Sequence, residues 1–214
     1  PILLGNPDRI NRQAQRLKLD LSGIKIIDMR ADKEQGRRAT YAKHLAEKLA
    51  RKGYTFQEAY DKMYERNYFG MMMVERGDAD AFITGLYTKY SNTIKVATEV
   101  VGVREGYHTF GTMHILNTKK GTYYLADTLI NRHPDENILT DIAKLSAHTV
   151  KFFNEEPVIA MLSYSNFGTD EIGSPLKVHN AVEQMQKEYP DLAIDGEMQV
   201  NFALNKELRD DKFP

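Results

Sequence analysis

The segment that most constrains the fold is residues 157–168, where an apolar run changes abruptly into a polar loop. Residues 158–162 are uninterrupted apolar sequence, which is typical of a β-strand buried on both faces. The following segment, loop 163–168, is rich in small hydroxyl and amide side chains and ends on glycine. Its candidate ligand residues are Ser163, Ser165, Asn166 and Gly168.

A helix is predicted after this loop, because Ser174 and Pro175 provide an N-cap and a first-turn proline. The loop therefore lies at the carboxyl end of a central strand, where open α/β sheets bind ligands. Backbone N–H groups at a helix N-terminus favour an anion such as phosphate. The alternative is an ordinary connection whose hydroxyls only cap the next helix, and the pattern leaves both interpretations open.

A second unit of the same type is predicted between residues 81 and 101. Residues 81–85 resemble a short buried strand, residues 86–92 a polar loop, and residues 93–101 a helix with Lys95 in its first turn. The helix dipole disfavours a cation there unless the cation meets an anion. The candidate ligand residues of this unit are Thr84, Gly85, Tyr87, Thr88, Ser91, Asn92, Thr93 and Lys95. The alternative interpretation is that these residues form a solvent-exposed loop that caps the helix and binds no ligand.

The rest of the chain alternates between strand and helix patterns, which predicts an α/β fold with mostly parallel sheets. Residues 112–126 are an exception, because their pattern predicts an antiparallel hairpin. Helix starts are predicted at Asn6 with Pro7 and at the capping box that opens on Thr55. Glycine-punctuated sequence near residues 102–108 suggests two subdomains, residues 1–105 and residues 106–214.

Composition excludes several classes of function. Lys plus Arg number 29 against 30 Asp plus Glu, so a broad basic surface for nucleic acid is not expected. The chain has no cysteine, and no apolar run approaches the ~20 residues that span a bilayer. No phosphate-loop or dinucleotide fingerprint occurs, and the histidines lack metal-ligand spacing. Metal binding is possible through the strand-end acids, but such acids usually cap loops, so no metal site is predicted. These acids are Asp78, Asp80, Asp127, Asp195 and Glu197. No catalytic residue is assigned.

Three separated motifs resemble the phosphate acetyl/butyryl transferase (phosphotransacetylase) family, in the family's order. They are Met-Val-Glu-Arg-Gly-Asp-Ala-Asp at 73–80, Met-Leu-Ser-Tyr-Ser at 161–165 and Pro-Asp-Leu-Ala-Ile-Asp-Gly-Glu at 190–197. Residues 125–128, 165–168 and 195–198 further resemble the version fused to the C-terminus of bacterial NADP-dependent malic enzymes. The chain opens on Pro1 without an initiator methionine, and we expect it to be a segment of such a fusion.

The resemblance implies a three-layer α/β/α fold of the isocitrate/isopropylmalate dehydrogenase type, whose two subdomains flank a cleft for coenzyme A thioesters. Arg37 or Arg38 matches a phosphate-contacting arginine of the family, and Lys95 stands where active transferases have an arginine. Lysine cannot make the bidentate contact of arginine to phosphate. The resemblance also implies homo-oligomers in the cytoplasm. NADP and a divalent metal would belong to the malic enzyme part of the parent protein, with no cofactor in this segment.

Three hypotheses follow. The preferred one is a regulatory domain that binds acetyl-CoA and modulates an NADP-dependent malic enzyme, which converts malate to pyruvate. The second is an active phosphate acetyltransferase that interconverts acetyl-CoA and acetyl phosphate. The third is an assembly module that binds no nucleotide.

Overall fold

The computed structural model describes residues 1–86 and 88–213, and these form two compact units. The first unit is Pro1–Gly102, and the second begins at Val103. Tyr87, one of the candidate ligand residues, lies outside the described residues. No described helix is both long and apolar enough to cross a membrane.

The first unit is mainly helical around one pair of parallel strands. Its elements are β1 (Ile2–Leu4), α1 (Pro7–Leu17), β2 (Lys25–Ile27), α2 (Gln35–Leu49), α3 (Phe56–Lys62), α4 (Arg66–Glu75) and α5 (Tyr90–Val100). β1 and β2 pair in parallel with Leu3 opposite Ile26, and α1 connects them. Short 3-10 turns at Asp32–Glu34 and Ala50–Lys52 flank α2.

The predicted helix caps of this unit are confirmed. The Asn6 side chain accepts a hydrogen bond from the backbone N–H of Arg9 at 3.1 Å, with Pro7 in the first turn. Thr55 and Glu58 form the reciprocal capping box. These side chains satisfy N–H groups that have no partner within the helix.

Methionine and aromatic side chains fill the core of the first unit. Met71, Met72 and Met73 are buried there, as core packing of this methionine run predicts. The buried Arg38 guanidinium lies at the edge of this core and donates to the carbonyl oxygens of Met29 (2.6 Å) and Ala31 (2.8 Å). Arg38 therefore ties α2 to the segment that follows β2.

The prediction of a strand at residues 81–85 is wrong. This segment forms no strand, and Ile83 is 95% exposed. The sheet of the first unit contains only β1 and β2 among the described residues, and this segment does not pair with either strand. Phe82 instead lies directly against Gly70 of α4, where a side chain would collide with its ring. A short apolar run does not reveal whether a neighbouring strand is present.

The second unit contains an antiparallel hairpin and one pair of parallel strands. Its elements are β3 (Met113–Thr118), β4 (Gly121–Ala126), α6 (Glu136–Phe152), β5 (Val158–Leu162), α7 (Gly173–Glu188), β6 (Ala193–Met198), α8 (Val200–Leu204) and α9 (Lys206–Lys212). β3 and β4 form the predicted hairpin, and β5 pairs in parallel with β6. The chain thus has a mixed α/β architecture with small parallel sheets.

β5 is buried on one face, which corrects the expectation of a central strand buried on both. Met161 packs with Val178 and Met185 of α7, whereas Val158 is 81% exposed. β6 is the partner of β5 among the described strands. An apolar run shows that both faces could be covered, but it does not supply the elements that cover them.

We predict that Arg38→Met destabilises the first unit by about 2–3 kcal/mol, because the carbonyl oxygens of Met29 and Ala31 lose their buried donor. The measurement is urea unfolding followed by circular dichroism.

The matched control is Arg37→Met at the adjacent position. Arg37 contacts Glu34 at 3.3 Å near the surface, so its loss should cost less than about 1 kcal/mol. Equal effects of the two substitutions would contradict the role assigned to Arg38.

Candidate functional site

Loop 163–168 is held against the end of β6 by backbone hydrogen bonds at both of its ends. The N–H of Ser163 donates to the carbonyl of Met198 at 3.0 Å, and the N–H of Phe167 donates to the carbonyl of Glu197 at 2.8 Å. The loop turns back through two left-handed residues, Phe167 (φ 46°) and Gly168 (φ 81°). Its geometry is therefore defined by β6 as well as by the strand that precedes it.

Two of the predicted ligand side chains in this loop make internal hydrogen bonds. The Ser165 hydroxyl lies 2.9 Å from the hydroxyl of Thr169. The Asn166 side-chain oxygen accepts from the N–H of Gln199 at 2.8 Å. The Ser163 hydroxyl, by contrast, has no hydrogen-bond partner among the described residues. Neither contact caps α7, so Ser165 and Asn166 shape the loop without acting as the helix cap of the alternative interpretation, and Ser163 is left free to contact a ligand.

The helix after the loop begins earlier than predicted. α7 starts at Gly173 with Ile172 as its N-cap, and no side chain caps its first turn, so Ser174 is not the N-cap. The Asp170 side chain accepts from the N–H of Ile172 at 3.3 Å. This local interaction turns the chain before Ser174 is reached, which explains the early start.

Glu197 was not among the predicted site residues, although it lies beneath the loop. Its side chain is fully buried, and Oε1 accepts from the N–H of Gly168 at 2.8 Å. Oε2 lies 3.4 Å from Nδ1 of His179 on α7 without the alignment of a hydrogen bond. The signal in the sequence is an acid in the Asp-Gly-Glu motif directly after an apolar strand. The expectation for this strand-end acid was that it caps a loop, and its burial was not predicted.

The candidate residues of the first unit lie around the start of α5. Thr84 donates to the side-chain oxygen of Asn67 at 2.8 Å, and the hydroxyls of Thr88 and Thr93 lie 3.1 Å apart. Gly85 adopts a positive φ of 129°, and Ser91 is exposed. Because α5 begins at Tyr90, Ser91 and Asn92 belong to the helix instead of the predicted loop.

Lys95 is not in the first turn of α5, which is a correction. It is the sixth residue of the helix, and its side chain is 65% exposed. Its ammonium lies 3.8 Å from Oε1 of Glu99, one turn further on. Lysine at this position therefore meets a carboxylate of its own helix, which explains a cation here without a bound anion.

Glu99 is the centre of a buried polar cluster in the first unit. It accepts hydrogen bonds from the hydroxyls of Tyr54 (3.2 Å) and Tyr68 (2.5 Å). Burial, together with the hydrogen bond to Glu99, raises the pKa of Tyr68. Both phenols therefore remain protonated donors at neutral pH, and the cluster holds α4 and α5 together.

Of the two arginines considered for phosphate contact, Arg38 has a structural role in the core. Arg37 forms a surface pair with Glu34 of the preceding turn, and the prediction that Arg37 contacts a ligand stays open. The carboxylates at 78 and 80 form no metal cluster within the described residues, and Asp78 accepts a hydrogen bond from Tyr41.

Asp127 follows the last residue of β4 and organises the loop after the hairpin. It accepts from the N–H groups of Thr112 (2.9 Å) and Asn131 (2.7 Å) and from the side chains of the same two residues. Partial burial acts to raise the pKa of Asp127, but these hydrogen bonds outweigh it and lower the pKa to about 2. Asp127 is therefore an ionised structural anchor.

Comparisons with known proteins agree with one another. The family model described as phosphate acetyl/butaryl transferase matches residues 1–214. The chain is 34% identical to the NADP-dependent malic enzyme of Escherichia coli (strain K12), with 100% of this chain aligned to 28% of that protein. It is 33% identical to the phosphate acetyltransferase of Bacillus subtilis (strain 168), covering 100% of this chain and 65% of that protein.

Comparison with solved structures also finds a phosphotransacetylase. The EutD phosphotransacetylase from Staphylococcus aureus superimposes with a TM-score of 0.83 at 28% identity, over 100% of this chain and 65% of that one. The chain thus spans less than two thirds of the length of each of these relatives.

We predict that the stabilising effect of Asp127 depends on pH. Because its pKa is lowered on folding, the carboxylate stabilises the fold fully above the ordinary value of 3.8, and the effect is lost as the pH falls toward 2. Asp127→Asn should therefore cost on the order of 1–2 kcal/mol at pH 6 and much less at pH 2.5, measured by urea unfolding.

The exposed Asp191→Asn serves as the control, with no such difference between the two pH values. A cost of Asp127→Asn that is the same at both pH values would be incompatible with a lowered pKa.

Proposed function

The chain belongs to the phosphate acetyl/butaryl transferase (phosphotransacetylase) family, and from this premise we propose that it is an acetyl-CoA-binding regulatory domain of an NADP-dependent malic enzyme. In that protein it follows N-terminal domains that bind NADP and a divalent metal and oxidatively decarboxylate malate to pyruvate. The similarity to the malic enzyme of E. coli over the whole of this chain supports that assignment.

The observation that carries this choice over catalysis is the environment of Lys95. Transfer of an acyl group to phosphate requires cationic donors aimed at the phosphate, where charge develops. Lys95 is a surface side chain in the second turn of α5, and Glu99 opposes its charge. A lysine held in this way supports weak contact with a CoA ligand better than a clamp on a leaving phosphate.

The predicted ligand residues are proposed contacts to acetyl-CoA. They are Arg37, Thr84, Gly85, Thr88, Ser91, Thr93, Lys95, Ser163, Ser165, Asn166 and Gly168. In loop 163–168, the internal hydrogen bonds of Ser165 and Asn166 suggest that their contribution is to shape the loop. Ser163, whose hydroxyl is free in the described structure, is the side chain best suited to direct contact.

We also propose a finer fold and assembly. Each unit contains two parallel strands connected through a helix, which supports a three-layer α/β/α fold of the isocitrate/isopropylmalate dehydrogenase type with subdomains at 1–105 and 106–214. The parent protein would assemble as a cytoplasmic homo-oligomer. Regulation would require acetyl-CoA to bind one conformation of that assembly more tightly than another, since equal affinity shifts no equilibrium.

A second candidate function is phosphate acetyltransferase activity. The similarity to the phosphate acetyltransferase of B. subtilis and the superposition on the S. aureus phosphotransacetylase favour it. Both functions use acetyl-CoA, so a binding measurement alone cannot separate them.

We predict that the full-length protein does not release CoA from acetyl-CoA in the presence of phosphate, while acetyl-CoA changes the rate of malate-dependent NADP reduction. The physical reason is that binding energy used to shift a conformational equilibrium needs no group that stabilises a transition state. The measurements are free-thiol release and NADPH absorbance on the same preparation.

Steady thiol release above the no-enzyme rate would refute the regulatory proposal in favour of catalysis. Lys95→Ala adds a discriminating variant: it should abolish turnover in a transferase, but only weaken acetyl-CoA binding or leave it unchanged in a sensor. If neither assay responds to acetyl-CoA and no binding heat is detected, both functions are rejected in favour of an assembly module.

A further inference from the structure

Glu197 contacts both residues of the left-handed turn that ends loop 163–168. Its backbone carbonyl accepts from the N–H of Phe167 at 2.8 Å, and its side chain accepts from the N–H of Gly168 at 2.8 Å. One residue of β6 therefore fixes two consecutive backbone amides of the loop. Neither Phe167 nor Gly168 has an ordinary extended or helical φ, so the turn depends on such an external contact.

A carboxylate at this buried position carries a desolvation penalty. Glu197 is 0% exposed, and burying an ionised group is unfavourable unless its oxygens are fully paired. Oε1 has a partner, but neither Oε2 nor the facing Nδ1 of His179 makes a hydrogen bond within the described residues. Oε2 instead lies within ion-pair distance of His179, whose side chain is 39% exposed.

His179 is placed to offset the buried charge. Its Nδ1 lies 3.4 Å from Oε2 of Glu197, and its Nε2 lies 3.6 Å from Oε1 of Glu183 on the same helix. When protonated, the imidazole ring places a positive charge between two carboxylates. The pair thus connects three elements, namely β6, α7 and the loop.

The turn fixed by Glu197 leaves the first half of the loop with free donors. The N–H groups of Tyr164 and Ser165 donate to no acceptor in the part of the chain that the structure describes, and the Ser163 hydroxyl is also free. Two successive backbone amides and a hydroxyl favour an anionic or carbonyl oxygen of a ligand. All three donors belong to the same loop whose far end Glu197 fixes.

We propose that Glu197 is a positioning residue that, with His179 as its partner, holds loop 163–168 in the conformation that binds the ligand. The charge of the carboxylate strengthens its hydrogen bond to Gly168 beyond what a neutral acceptor would give. The identity of the ligand as acetyl-CoA rests on the proposed function, whereas the positioning role does not.

The test uses the full-length protein with Glu197→Ala, Glu197→Gln and the control Glu183→Gln. Glu183 also contacts His179 but makes no described contact with the loop. Amide hydrogen exchange is measured without ligand over residues 163–170, and acetyl-CoA affinity is measured by calorimetry. Glu197→Ala should raise loop exchange and weaken affinity by about tenfold each, the effect of losing one charge-assisted hydrogen bond.

Glu197→Gln should restore part of both properties, because its amide oxygen can still accept from Gly168 but carries no charge. Glu183→Gln should leave loop exchange unchanged. Exchange over 163–170 that is unchanged in Glu197→Ala would overturn the proposal, as would a Glu197→Gln variant no better than Glu197→Ala. If Glu197→Ala does not fold, His179→Ala is measured instead, and we expect a severalfold rise in the exchange rate over 163–170. Unchanged exchange of the loop in His179→Ala would also overturn the proposal.

The proposed function and the positioning role of Glu197 are rejected by different results. If the unmodified protein binds no acetyl-CoA, the proposed function is rejected, while loop exchange still decides whether Glu197 positions the loop. If acetyl-CoA binds but the Glu197 variants exchange and bind like the unmodified protein, only the positioning role is rejected.

Discussion

The conformation of loop 163–168 depends on a fully buried carboxylate beneath it. Glu197 accepts from two consecutive loop amides, one through its backbone and one through its side chain, and it faces His179 on α7. Removing such a group leaves buried N–H donors without acceptors, whereas keeping it requires the fold to tolerate a desolvated charge. The second unit tolerates that charge beneath the polar loop that follows the parallel strand β5, and ligands commonly bind at the carboxyl ends of parallel strands in α/β proteins.

Two charged residues of the first unit, Glu99 and Arg38, are paired within that unit. Glu99 accepts from two tyrosines and lies near Lys95, and Arg38 donates to two backbone carbonyls. Arg38 and Lys95 therefore have partners within the unit that do not require a bound anion. Family membership does not by itself decide catalytic activity, because function depends on the residues of the site and not on the fold alone.

Sequence reasoning succeeded where the signal is local. The side-chain caps at Asn6 and Thr55 and the 113–126 hairpin each depend on a few neighbouring residues, and the structure contains them. It failed where the outcome depends on distant partners. Residues 81–85 have a strand-like composition but no partner strand, and Glu197 is buried by α7 and the loop, which periodicity does not reveal. The helix starts at 90 and 173 were missed because neither N-cap uses its side chain.

Hydrogen exchange of the full-length protein with and without saturating acetyl-CoA tests most directly whether loop 163–168 binds the ligand. The free N–H groups of Tyr164 and Ser165 should gain acceptors on binding, so the segment 163–170 should become protected at neutral pH. Protection confined to other segments, with exchange over 163–170 unchanged at saturation, would contradict a ligand site at this loop.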